Sequence, residues 1–197
     1  MFKKIASRCT NALCASGVID KNNFQIYAYG MELVVSTLVN LIEIFAISII
    51  FFRFSSGLCF LLAFIPLRST AGGYHANSHW ACNLISVGGF VGFHYLVGFI
   101  PHEYLSSLYI ACGIFSTITV CLFSPCEAVN KPLTPVQRRN NRRASMMICI
   151  VNLIIALSLW AFIESKQCTT SYFLGIFAAT LSMWATKIFN KKEREIV

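Results

Sequence analysis

Apolar residues fill long blocks along this chain, and short polar stretches punctuate them. Residues 31–52, 82–100, 105–123, 145–163 and 171–189 form five long apolar runs, and 57–67 forms a shorter one closed by Pro66. A helix crossing the ~30 Å hydrocarbon core of a bilayer needs about 20 residues. The five long runs therefore read as spans, and the sixth reads as a short or broken span. Ahead of them, Phe2, Ile5, Cys9, Ala12, Leu13 and Ser16 recur at helical spacing, with Lys3, Lys4 and Arg8 on other faces. This predicts a weakly amphipathic helix, suited either to the membrane surface or to packing on its own protein.

Composition agrees with that pattern. Of 197 residues, 56% are hydrophobic and 12% charged, against about 25% charged in soluble domains. The reading is an all-α, polytopic transmembrane protein of about six spans. One membrane domain covers 1–197, with an N-terminal interfacial helix in 1–30, the bundle in 31–189 and a basic tail in 190–197. No internal repeat, low-complexity segment or cleavable signal peptide stands out.

The net charge of +8 sharpens the topology. Lys131, Arg138, Arg139, Arg142 and Arg143 lie in the connector 124–144, and Lys187, Lys191, Lys192 and Arg194 lie near the C-terminus. The positive-inside rule puts both in the cytoplasm. Counting back two spans places 68–81 on that side, and Lys3, Lys4, Arg8 and Lys21 put the N-terminus there too. Parity then requires the short run 57–67 to return the chain inward. Basic residues confined to segments beside apolar runs offer no free basic face, so nucleic acid is not an expected partner.

The chain has nine cysteines and no C-x-x-C, which argues against membrane thiol–disulfide exchange. Cys59, Cys112, Cys121 and Cys149 sit in or beside apolar runs and read as small hydrophobes. Cys82 is different, because it closes the one polar island of the first half, LRSTAGGYHANSHWACNL. Arg68 and the pair Gly72–Gly73 precede His75, and Cys82 follows seven positions later. On a helix, seven residues turn about 700° and rise about 10 Å. The two side chains would share a face without touching, so contact needs a break near Asn77–Ser78.

A nucleophilic cysteine needs a nearby base or cation to raise its thiolate fraction. His75 and Arg68 could supply these to Cys82. The bland alternative is an inert packing cysteine beside a solvated histidine. His79 shares the arc with His75 and Cys82, which admits a three-ligand metal site. No carboxylate in the island completes it, however, and ligands on one short helix converge poorly. Glu32 and Glu43 in the first span point within about 20° of each other. Intramembrane acids are functional suspects, and they support the alternative of a non-enzymatic transporter or peptide exporter.

The island's pattern of Arg, three residues, Gly-Gly, one residue, His, then Cys seven on resembles the accessory gene regulator B family, membrane cysteine endopeptidases of Gram-positive bacteria. Tyr29–Gly30–Met31–Glu32 and Asn130–Lys131–Pro132–Leu133 fit in order at the expected distances, so the resemblance spans nearly the whole chain. It implies Cys82 as nucleophile and His75 as general base. Beside these, Arg68 is a candidate for holding a substrate carboxylate or biasing the thiolate, and Gly72, Gly73 and Lys131 are candidate substrate-binding or supporting residues. It implies no cofactor and no metal. The implied substrate is a short autoinducer precursor peptide, cut on the cytoplasmic face and cyclised to a thiolactone or lactone for quorum sensing. Membrane lipids are the other expected partners, and a homodimer is an admissible state.

Overall fold

A computed structural model describes residues 2–17, 19–20, 24–72, 79–126, 133–163 and 166–196, with side chains at all of these except 2–3, 26, 29, 33, 79–83, 85 and 189–196. Among the described residues seven helices follow one another: α1 (Phe2–Ala15), α2 (Phe24–Phe51), α3 (Phe54–Ala71), α4 (His79–Gly98), α5 (His102–Phe123), α6 (Pro135–Phe162) and α7 (Lys166–Ile196). The chain is all-α, with no strand among the described residues. Among the described residues, four stretches are long and apolar enough to cross a membrane: Gly30–Phe51, Phe54–Ala71, His102–Phe123 and Pro135–Phe162.

The second apolar run is longer than its hydropathy suggests. The helix carries Pro66 inside it and continues to Ala71, so the expected break at the proline does not occur. Proline removes one backbone donor and crowds the preceding turn. The carbonyl that loses its donor is that of Leu62, and side chains bond the carbonyls that follow it. Ser69 Oγ and Thr70 Oγ1 both donate to the Pro66 carbonyl, at 2.9 and 3.0 Å. The Asn152 amide of α6 donates to the Ala63 carbonyl at 3.1 Å.

Helix α6 starts nearly three turns before its apolar run. Thr134 accepts from the Gln137 amide, Gln137 accepts from the Thr134 amide, and Pro135 opens the helix. This capping box satisfies donors that would otherwise be orphaned. The amphipathic N-terminal helix also forms, but it meets α2 through a different face from the one its pattern suggests. Ala6 and Thr10 are buried, whereas Ile5, Cys9 and Ala12 are exposed.

Helix α7 is the centre of the bundle, in contact with α3, α4, α5 and α6. Between membrane helices the hydrophobic effect supplies little net attraction, so close packing and polar side chains carry more of the association. Gly175 provides the closest approach. A Cβ there would lie 2.9 Å from the Ala63 Cβ and would strike the Phe60 carbonyl of α3. Hydroxyl bonds then run along the length of α7. Tyr109 pairs with Thr170 at 2.7 Å, Tyr172 donates to Asn152 at 2.9 Å, Ser116 pairs with Thr180 at 3.2 Å, and Trp184 donates to Thr119 at 3.1 Å. Outward faces are apolar, as at Ile42, Ile50, Ile114 and Ile154, each more than half exposed; such faces suit lipid.

Candidate functional site

The helix ends sort into two groups. At one end, Ser48 near the close of α2 accepts from the Gly57 amide of α3 at 2.8 Å. Phe52 packs on His94 of α4, whose Nε2 lies 2.8 Å from Ser171 Oγ of α7. At the other end, the close of α3 meets the close of α5 and the middle of α7. Arg68 Nη1 donates to Ser182 Oγ at 3.1 Å. The Cys126 amide donates to the Ala71 carbonyl at 2.8 Å, and Gly72 bridges to Cys126. Ser124 bonds Ser145 of α6 there. This second end is where the polar island leaves α3.

Gly72 explains itself in this geometry. Its φ is +75°, in the region that favours glycine, and a Cβ would strike the Cys126 carbonyl. The first glycine of the Gly-Gly pair therefore ends α3 and lets the 124–126 segment close against it. Gly73, His75 and Lys131 lie outside the described residues. Cys82 is the fourth residue of α4. Its backbone precedes His94 by twelve positions, about 18 Å along the helix, which carries it away from the His94 end and toward the end of Arg68. Neither its side chain nor that of His79 is described, so the His75–His79–Cys82 metal alternative also falls outside the described side chains. Glu32 and Glu43 are both half-buried on α2.

Cys126 and Ser182 escaped the sequence reading. Cys126 is buried, and its thiol faces the Phe123 carbonyl at 3.3 Å and the Met183 carbonyl at 3.9 Å. Burial pushes that thiol's pKa up, against the opposing pull of the Lys187 and Arg68 cations. The cations pull against burial without overcoming it. No local pattern marks either residue: Ser182 is 114 positions from Arg68, and Cys126 resembles the other cysteines beside apolar runs.

Fold and site together define a helical membrane protein with a polar, cationic centre at one end of the bundle, built where α3, α5, α6 and α7 converge. A profile of the family described as Accessory gene regulator B matches residues 6–185, and the chain belongs to that family. Similar proteins include Accessory gene regulator protein B of Staphylococcus epidermidis, 26% identical over 176 residues (89% of this chain and 86% of that protein). The protein of the same name from Staphylococcus carnosus is 24% identical over 160 residues, 79% of this chain and 82% of that one. That of Staphylococcus saprophyticus is 24% identical over 141 residues, 72% of this chain and 74% of that one. No solved structure matches.

Proposed function

We propose that this chain is a membrane cysteine endopeptidase that matures a quorum-sensing peptide. The observation that carries the reading is family membership across 6–185, joined to the motif of Arg68, Gly72–Gly73, His75 and Cys82 within that stretch. The place of Arg68 at the close of α3, the end toward which the Cys82 backbone lies, supports it, because a cation beside a solvated Cys82 raises its thiolate fraction. In this reading the bundle has six spans in the cell membrane, both termini are cytoplasmic, and the island faces the cytoplasm.

The Cys82 thiol gives its proton to His75, and the sulfur attacks the scissile carbonyl of a short precursor peptide. The C–N bond breaks, and the amine of the released C-terminal fragment takes the proton back from His75. The N-terminal part stays on Cys82 as a thioester. Hydrolysis at this point would discard the acyl group's activation. Exchange onto a substrate thiol instead passes the acyl group on at nearly equal energy and frees Cys82 as a thiol. Exchange onto a hydroxyl gives the lactone. Water scarcity at the membrane edge favours exchange over hydrolysis. Arg68 holds a substrate carboxylate, for which guanidinium geometry is suited, and Lys131 supports the peptide.

The test is a precursor lacking its ring-forming nucleophile. It should accumulate as an adduct on Cys82, visible as added intact-protein mass, and Cys82→Ala should neither cleave nor trap it. Wild-type cleavage by Cys82→Ala would refute the reading. His79→Ala should retain most activity where His75→Ala does not; equal, severe loss in both, with zinc restoring chelator-treated wild type, would make the site metal-dependent.

A further inference from the structure

An open pocket of about 590 Å³ lies where α5 ends, α6 begins and α7 passes, within the ~300–1,000 Å³ typical of small-molecule sites. Arg138, Arg139, Arg142 and Lys187 line it over an apolar floor that includes Leu122 and Phe123, and among the described residues no acid lines it. Three of those cations occupy the first two turns of α6, which has no acid in its first turn. A helix N-terminus already carries partial positive charge, so cations there repel it and an anion relieves the repulsion. The floor continues outward along α5. Ile110, Ile114, Ile118 and Leu122, one per turn, are 52%, 56%, 53% and 68% exposed.

We propose that this pocket binds the phosphate headgroup of an anionic phospholipid, whose acyl chain lies along the α5 track toward Ile110. Guanidinium groups match phosphate oxygens with paired donors. Basic pockets at the ends of membrane helices are suited to such headgroups. The apolar track selects lipid over an acidic peptide: a peptide carboxylate needs the four cations but gains nothing from three further turns of exposed isoleucine. This inference is independent of the proteolytic reading, since it uses neither His75 nor Cys82.

The experiment is native mass spectrometry of the full chain in neutral detergent, titrated with phosphatidylglycerol. Phosphatidylcholine, inorganic phosphate and a Glu-rich decapeptide serve as the other arms. One phosphatidylglycerol should bind with preference over phosphatidylcholine. The triple variant R139Q/R142Q/K187Q should weaken it by about tenfold or more, as removal of three nearby cations implies. R143Q removes a cation from the same helix that does not line this pocket, and it should leave binding near wild type. L122N should weaken the lipid and leave any inorganic phosphate binding unchanged. All four altered cations are exposed; should the triple variant not fold, R139Q and K187Q singly carry the same comparison. The proposal is overturned if R143Q weakens the lipid as much as R139Q, or if L122N has no effect. It is equally overturned if inorganic phosphate or the decapeptide displaces phosphatidylglycerol from the pocket.

Discussion

Arg68 and Ser182 are joined across 114 positions by a hydrogen bond from Nη1 to Oγ of 3.1 Å. Ser182 in turn donates to the Ala179 carbonyl at 2.6 Å, so its oxygen is oriented to receive the guanidinium. This bond fixes a motif residue to the middle of α7. Ser182→Ala should cost about 1.5–3 kcal/mol, the range of bonds to charged groups. A double-mutant cycle with Arg68→Gln, read by thermal unfolding in detergent, should show coupling of about 1 kcal/mol. Strictly additive losses would mean that the bond contributes nothing.

Gly175→Ala is expected to destabilise the bundle by about 1–3 kcal/mol, the usual cost of overpacking, because the new Cβ meets α3 at Ala63 and Phe60. Gly92→Ala on α4 is the control: a Cβ there meets nothing within 4 Å, and alanine is the better helix former by up to about 1 kcal/mol. Melting temperatures should therefore move in opposite directions.

Single cysteines at positions 77 and 137, in a background lacking the native ones, test the sidedness of the bundle. Both should resist an impermeant maleimide in intact cells and react after permeabilisation. Labelling of either from outside would invert or break the topology proposed for 68–81 and 124–144.

Cys126 should be a slow thiol. Its pKa lies above the ordinary value because burial outweighs the nearby cations. A raised thiol pKa lowers the thiolate fraction at neutral pH, so alkylation should be slow at pH 7 and should accelerate only above the pH at which a free cysteine does. With the other cysteines replaced, iodoacetamide rates across pH 7–10 give the profile. Fast alkylation at pH 7 would show that the cations outweigh burial.

Hydropathy made the spans legible because burial in lipid is written locally, in runs. It misjudged their ends where polar side chains extend a helix beyond its apolar stretch. Helix α3 runs on past Pro66 through the polar Arg68, Ser69 and Thr70, and the Thr134–Gln137 box starts α6 ahead of its apolar run. The box was present in the residues, but hydropathy alone does not weigh it. At the site, Arg68 and Gly72 stood out through their motif. Their partners Ser182 and Cys126 did not, since contacts closed by tertiary folding leave no periodic trace. On α1 the pattern identified the helix but not its packed face, because small Ala6 and Thr10 fit against α2 more closely than the bulkier Ile5.

The bonds along α7 have a mechanical consequence. Sliding that helix by one turn, about 5.4 Å, would break its links to Tyr109, Asn152, Ser116, Thr119 and Arg68 together. It is therefore a fixed mast, and movement at the cationic end belongs to the parts rigged around it. The described side-chain hydrogen bond from α4 to this mast is at His94, about 18 Å along the helix from the Cys82 backbone. Over that lever arm, a tilt of about 10° at the anchor carries the Cys82 backbone roughly 3 Å sideways, enough to make or break a hydrogen bond at the tip while every bond along the mast stays intact.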